Sequence, residues 1–172
     1  MKATVIIKNS FYTLLFLLSI VAYSQKNTLE KKVIEDMKYM LEEEKLAKDV
    51  YTFLGNTLGL KIFENIKQGE ERHFDVMKNL LTTNEISFEI HKENGTFYNP
   101  ELQKLYDYLI QLGSNSIKDV INVGVLIEET DIRDLEKVIK NTNDPYTKQV
   151  YSNLLRASKN HLRAFNRQLS KY

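Results

Sequence analysis

The sequence predicts an all-α protein: four long helices in a bundle, with a long crossover in the middle that carries a short extra helix. Three observations predict it. Apolar residues recur every three or four positions through most of the chain. Two prolines and six glycines are few enough to leave long segments uninterrupted. Strand-type alternation is confined to one weak candidate, Ile86 to Ile90.

The first helix spans about Thr28 to Leu54, with Val33, Met37, Met40, Leu41, Ala47, Val50 and Leu54 at helical spacing. Gly55 and Gly59 flank a break, and a second helix follows from about Lys61 to Leu81. The polar stretch Thr82 to Asn99, interrupted by Asn94-Gly95, reads as a connection long enough to cross the bundle. Pro100 suits a first helical position and opens the short helix, which ends at Gly113. Ser114 or Ser116 caps the third long helix, which carries Val120, Val123, Ile127, Leu135 and Val138 to about Lys140. Asn143-Asp144-Pro145 marks the turn into the last helix, with Val150, Leu154, Ala157, Phe165 and Leu169 inside.

Residues 1–24 have the layout of an export signal. Lys2 and Lys8 are followed by the apolar Phe11–Ala22 stretch, and Ala22-Tyr23-Ser24 supplies the small residues of a cleavage site before Gln25. The apolar run is shorter than the about 20 residues that span a bilayer. The expected product is an exported domain, residues 25–172, periplasmic or secreted, with no stable membrane span after cleavage.

With 24 basic and 23 acidic residues the chain is close to neutral, which gives no reason to expect a nucleic-acid or anionic-membrane partner. It has no cysteine, so thiolate metal sites and cysteine nucleophiles are excluded. Any metal must be held by carboxylate, imidazole or tyrosine.

Ionisable residues nevertheless fall on the apolar stripes. Glu44 steps in line with Met37, Met40, Ala47, Tyr51 and Leu54. Glu70 and His73 share a face with Ile62, Ile66, Met77 and Leu80; Glu128 and Asp131 share one with Gly124, Leu135 and Val138; His161 lies with Leu154, Ala157 and Phe165. A buried carboxylate is costly unless paired, protonated or bound to a cation. Brought together at mid-bundle, these residues make an oxygen-and-nitrogen site suited to iron, manganese or zinc, in the pattern general to di-iron carboxylate bundles.

The segments Glu42-Glu43-Glu44-Lys45-Leu46-Ala47-Lys48-Asp49-Val50-Tyr51 and Glu70-Glu71-Arg72-His73 resemble those of the DUF2202 family, a family of ferritin-like domains. So do Gly124-Val125-Leu126-Ile127-Glu128-Glu129-Thr130-Asp131-Ile132 and Asn160-His161-Leu162-Arg163-Ala164-Phe165. The resemblance implies a ferritin-like four-helix bundle with a metal centre, probed naturally by oxygen or peroxide chemistry of an oxidoreductase type. It implies Glu44 as a terminal ligand, Glu70 as a bridge, His73 and Glu128 as further ligands, and His161 as the second imidazole. One position departs from the ferritin pattern: Ser158 stands where the fourth helix should offer a glutamate. Either Asp131 supplies that oxygen, or one metal position is weak or empty.

Glu42, Glu43, Glu71 and Glu129 read as solvated-face residues, His91 as a surface residue, and Met37 and Met40 as core. Tyr51 serves either as a partner of a ligand carboxylate or as an ordinary core tyrosine. Tyr98, Tyr106 and Tyr108 pack the crossover onto the bundle. A second reading of the whole takes the five Glu and His residues as a buried polar network with Arg or Lys partners, in a non-catalytic bundle that binds a protein or envelope component.

Overall fold

The computed structural model describes the backbone of residues 3–172 and the side chains of residues 31–172. The export signal expected at residues 1–24 lies outside the described side chains. Five helices follow one another: α1 (Ala3–Leu58), α2 (Lys61–Thr83), α3 (Pro100–Gly113), α4 (Ile117–Asn141) and α5 (Pro145–Leu169). Among the described residues there is no strand; Ile86–Ile90 is extended connection. No described helix is long and apolar enough to cross a membrane.

Local chemistry sets the boundaries. Helix α1 runs through Gly55 and breaks only at Gly59 and Leu60. Asn99 caps α3 by accepting from the N–H groups of Glu101 and Leu102, with Pro100 at the first helical position. Of the two serines able to cap α4, Ser116 does so: its Oγ accepts from the Asp119 N–H and donates to the Asp119 carboxylate at 2.7 Å. Asp144 caps α5 through the Thr147 N–H at 2.7 Å, ahead of Pro145.

Helices α1 and α2 form one antiparallel pair and α4 and α5 another; the pairs join along α1–α4 and α2–α5, and α3 lies across α1 and α4. Two apolar clusters show how they run. One joins Leu46–Leu54 of α1 to Phe63 and Ile66 of α2, Val120–Ile127 of α4 and Phe165 of α5. The other joins Met37–Leu41, Met77–Leu81, Leu135 with Val138, and Val150–Leu154. The early part of α1 thus meets the late part of α4, so neighbouring helices are antiparallel. The link from α2 to α4 must therefore travel the length of the bundle, which is the work of residues 84–99 and α3.

That link is tied to α1 by charged residues that α1 buries. Glu42 accepts from the backbone N–H groups of Tyr98 at 2.7 Å and Asn99 at 2.9 Å. Lys45 donates to the carbonyls of Glu93 at 2.9 Å and Thr96 at 3.2 Å, and to Asp49 at 2.5 Å. Asp49 in turn accepts from the Gly95 N–H at 3.0 Å. Every residue from Leu41 to Ala47 is buried. The solvated-face expectation for Glu42 and Glu43 is therefore wrong, because the crossover covers the side of α1 that its partner helices leave open.

Candidate metal centre

Each long helix places its ionisable residues between the two apolar clusters, so a polar layer is enclosed above and below. Glu44, Glu70, His73, Glu128, Asp131 and Ser158 are all buried, and His161 is partly so. Five of them converge. His73 Nδ1 lies 2.9 Å from Glu70 Oε2 and 3.3 Å from Glu44 Oε2. His161 Nδ1 lies 2.7 Å from Glu70 Oε1 and 3.6 Å from Glu128 Oε2. The result is two three-residue groups, Glu44–Glu70–His73 and Glu70–Glu128–His161, each compact enough to hold a metal ion and sharing Glu70. The two imidazoles stack with centroids 5.4 Å apart.

Two neighbours make this geometry possible. Gly69 lets α5 approach α2: a β-carbon there would stand 2.8 Å from His161 Cε1 and Nε2. Tyr51 donates to Glu128 Oε1 at 2.7 Å, which resolves the choice left open for it. Tyr51 also packs with Phe63 and Phe165, centroids 5.4–5.6 Å apart, in an aromatic floor beneath the layer. The same floor needs Gly124, where a β-carbon would fall 2.3 Å from the Phe165 ring.

The donor set suits a cation. Glu44 Oε1, Glu70 Oε1, His73 Nδ1 and His161 Nδ1 are buried, and none has a well-directed hydrogen bond, although the oxygens and nitrogens face one another closely. Among the described residues, the ion pairs of Glu44, Glu70 and Glu128 are all to the two histidines, with no Arg or Lys between them. Three carboxylates and two imidazoles match hard-to-borderline divalent metals.

Charge is strongly coupled across the layer. Burial alone would depress His73, but Glu44 and Glu70 outweigh it and push the imidazole up to about 11. Burial likewise opposes protonation of His161, and Glu128 and Glu70 raise it to about 9. Glu70 is disfavoured as an anion by burial, yet the two histidines pull it down to about 2. Burial, then the charge of Glu70, pushes Glu128 up to about 8. Glu44 is also raised, by burial first.

Asp131 belongs to neither group. It is pushed well above the usual range by burial and by Glu44 and Glu43, and one of its oxygens is hydrogen-bonded to Ser158. The Ser158 hydroxyl also reaches the Leu154 carbonyl at 2.9 Å. Ser158 thus faces the layer where a glutamate was expected, and Asp131 leans on it. Glu71 and Glu129 are exposed as expected. His91 is partly buried, stacked on Tyr98 with centroids 3.9 Å apart, and Tyr106 packs on Phe97. Gly69, Glu43 and the Glu42–Lys45–Asp49 anchor escaped the sequence reading; the first had a signal in its place next to Glu70, on the face that carries the site.

Comparison with known proteins agrees with these features. The family model described as "Uncharacterized protein domain (DUF2202)" matches residues 33–172. "Uncharacterized protein MJ0754" of Methanocaldococcus jannaschii is 42% identical over 148 residues, covering 86% of this chain and 80% of its own. The crystal structure of hypothetical protein MJ0754 superposes with a TM-score of 0.79 at 44% identity, over 81% of this chain and 80% of that one. Sequence and architecture together place the chain in one family: it belongs to DUF2202.

Proposed function

We propose that this protein is a ferritin-like metal-binding bundle with room for two ions, iron first, with manganese or zinc as alternatives. Glu44 and His73 hold one ion, Glu128 and His161 the other, and Glu70 bridges them. The observation that carries this reading is the convergence of four buried ligand atoms, Glu44 Oε1, Glu70 Oε1, His73 Nδ1 and His161 Nδ1, that lack well-directed partners inside the protein. Asp131 retains a buried, unpartnered Oδ1 and stands as the reserve ligand for the glutamate that α5 lacks.

Loaded with redox-active ions, such a centre supplies oxidoreductase chemistry on oxygen or peroxide. The chain's own residues have simpler tasks. Tyr51 fixes one Glu128 oxygen and leaves the other facing His161. The aromatic floor and the second apolar cluster keep water from the layer above and below. The histidines are its most exposed members, with side chains 10% and 16% exposed, so a small molecule reaches it along the α2–α5 seam. Export across one membrane, to the periplasm or the medium, is part of the same proposal and rests on the basic-then-apolar segment ending at Ala22-Tyr23-Ser24.

The test is metal content by mass spectrometry of the chain purified without chelators, beside a Glu70→Ala/His73→Ala double variant. About two equivalents, lost in the variant, are expected. One equivalent means that the Ser158 substitution has removed a position. No metal in either protein, after reconstitution with iron, manganese and zinc, contradicts the reading and leaves the polar network in a partner-binding bundle.

A further inference from the structure

Beside the centre, and outside both ligand groups, lies a carboxylate with no evident use. Glu43 is 4% exposed, and neither oxygen has a hydrogen-bond partner. Burying a carboxylate in this way is unfavourable unless something positive visits it. Its surroundings are acidic. Asp134 lies against it, Glu44 follows it in the chain, and Asp131 is close enough to feel its charge. The nearby base, Arg133, is engaged with Asp134, at 3.2 Å from Nε to Oδ1 and 3.0 Å from Nη2 to Oδ2, with a side chain 67% exposed.

These groups form a path. Asp134 lines an open cleft of about 470 Å³ between α1 and α4, whose walls also carry Glu35, Asp36 and Glu101. Glu43 lies behind Asp134 and also lines a separate cleft of about 100 Å³ under Leu105 and Tyr108. On α1, Glu43 and Glu44 are one residue apart and so point about 100° apart: Glu43 toward α3 and α4, Glu44 into the centre. On α4, Asp134 and Asp131 are three apart and share a face. Carboxylates thus step from the open cleft to Glu43 and on to Glu44.

We propose that Glu43 and Asp134 form a second, transient site for a divalent cation, a station through which ions pass from the acidic cleft to Glu44 and the Glu/His centre. The inference rests on the centre being a metal site, but concerns how it is filled. Two carboxylates and solvent hold a divalent ion loosely, which suits transit, whereas the centre offers imidazoles and more oxygens. No covalent or redox step is involved.

Stopped-flow cobalt(II) absorbance, with the metal-free purified chain, separates rate from capacity. Glu43→Gln is expected to slow loading about tenfold or more, the scale on which charged clefts raise encounter rates, with the final cobalt content and spectrum unchanged. Asp134→Asn, at the rim, slows it less and stands in if Glu43→Gln does not fold. Glu129→Gln, exposed on α4, loads like wild type. Unchanged loading in both Glu43→Gln and Asp134→Asn overturns the proposal, and so does a lower final content in Glu43→Gln, which makes Glu43 a resident ligand. A wild-type chain that takes up no cobalt removes the centre itself, and the station with it; normal capacity with unaltered rates removes the station alone.

Discussion

Residues decide this site by small distances. Gly69 illustrates how. A helix-interior glycine is normally a liability of about 1 kcal/mol relative to alanine, yet here a methyl group would meet the His161 ring at 2.8 Å. Gly69→Ala is therefore expected to leave helicity unchanged while turning His161 away from Glu70. Metal retention should fall toward one equivalent, measurable by mass spectrometry beside circular dichroism; a variant that keeps full metal content would show that the close approach is dispensable. The five converging ligands were legible because each interrupts an apolar stripe whose face is fixed by the 3.6-residue period. Gly69 was not, since a small residue is conspicuous only when the neighbouring helix is known.

At the scale of elements, α1 shows where periodicity stops informing. An amphipathic helix declares its buried stripe by contrast with a polar one. Helix α1 buries Glu42, Glu43, Lys45 and Asp49 as well as its apolar residues, because a polar connection far along the chain wraps its outer side. Nothing within α1 announces that cover. The connection in turn depends on α1: Glu42→Ala strands the N–H groups of Tyr98 and Asn99. Loss of about 1–3 kcal/mol is expected from unpaired donors of this kind, with faster amide exchange confined to residues 93–99. Uniform exchange throughout the chain, or none gained at this stretch, would count against the anchor. The helix ends, by contrast, were readable from Asn99-Pro100, Ser116 and Asp144-Pro145, whose capping is local.

For the whole molecule, the governing feature is a charged layer between two apolar ones. Without metal, that layer makes stability depend on pH. His161 holds its proton up to about 9 against an ordinary value near 6.5, so its contribution is complete below about 6.5 and is lost as pH rises through 9. Glu128, raised to about 8, also favours the protonated folded state and loses that advantage over a rise from about 4.5 to 8. Glu70, lowered to about 2, contributes above its ordinary range and loses that only toward acid. The metal-free chain should therefore unfold at lower denaturant at pH 9 than at pH 6.5. The metal-loaded chain should gain over the same window, because binding requires deprotonated ligands. Parallel profiles for the two forms would argue that no ion engages these groups.

The bundle's architecture was read from spacing because each helix repeats one signal many times; the occupancy of its centre rests on a few atoms. The most direct measurement is anomalous diffraction from crystals of the manganese-loaded chain. Two peaks are expected, one among Glu44, Glu70 and His73 and one among Glu70, Glu128 and His161, on either side of Glu70. Density without a peak in that layer, or with a lysine or arginine drawn into it, would contradict the account.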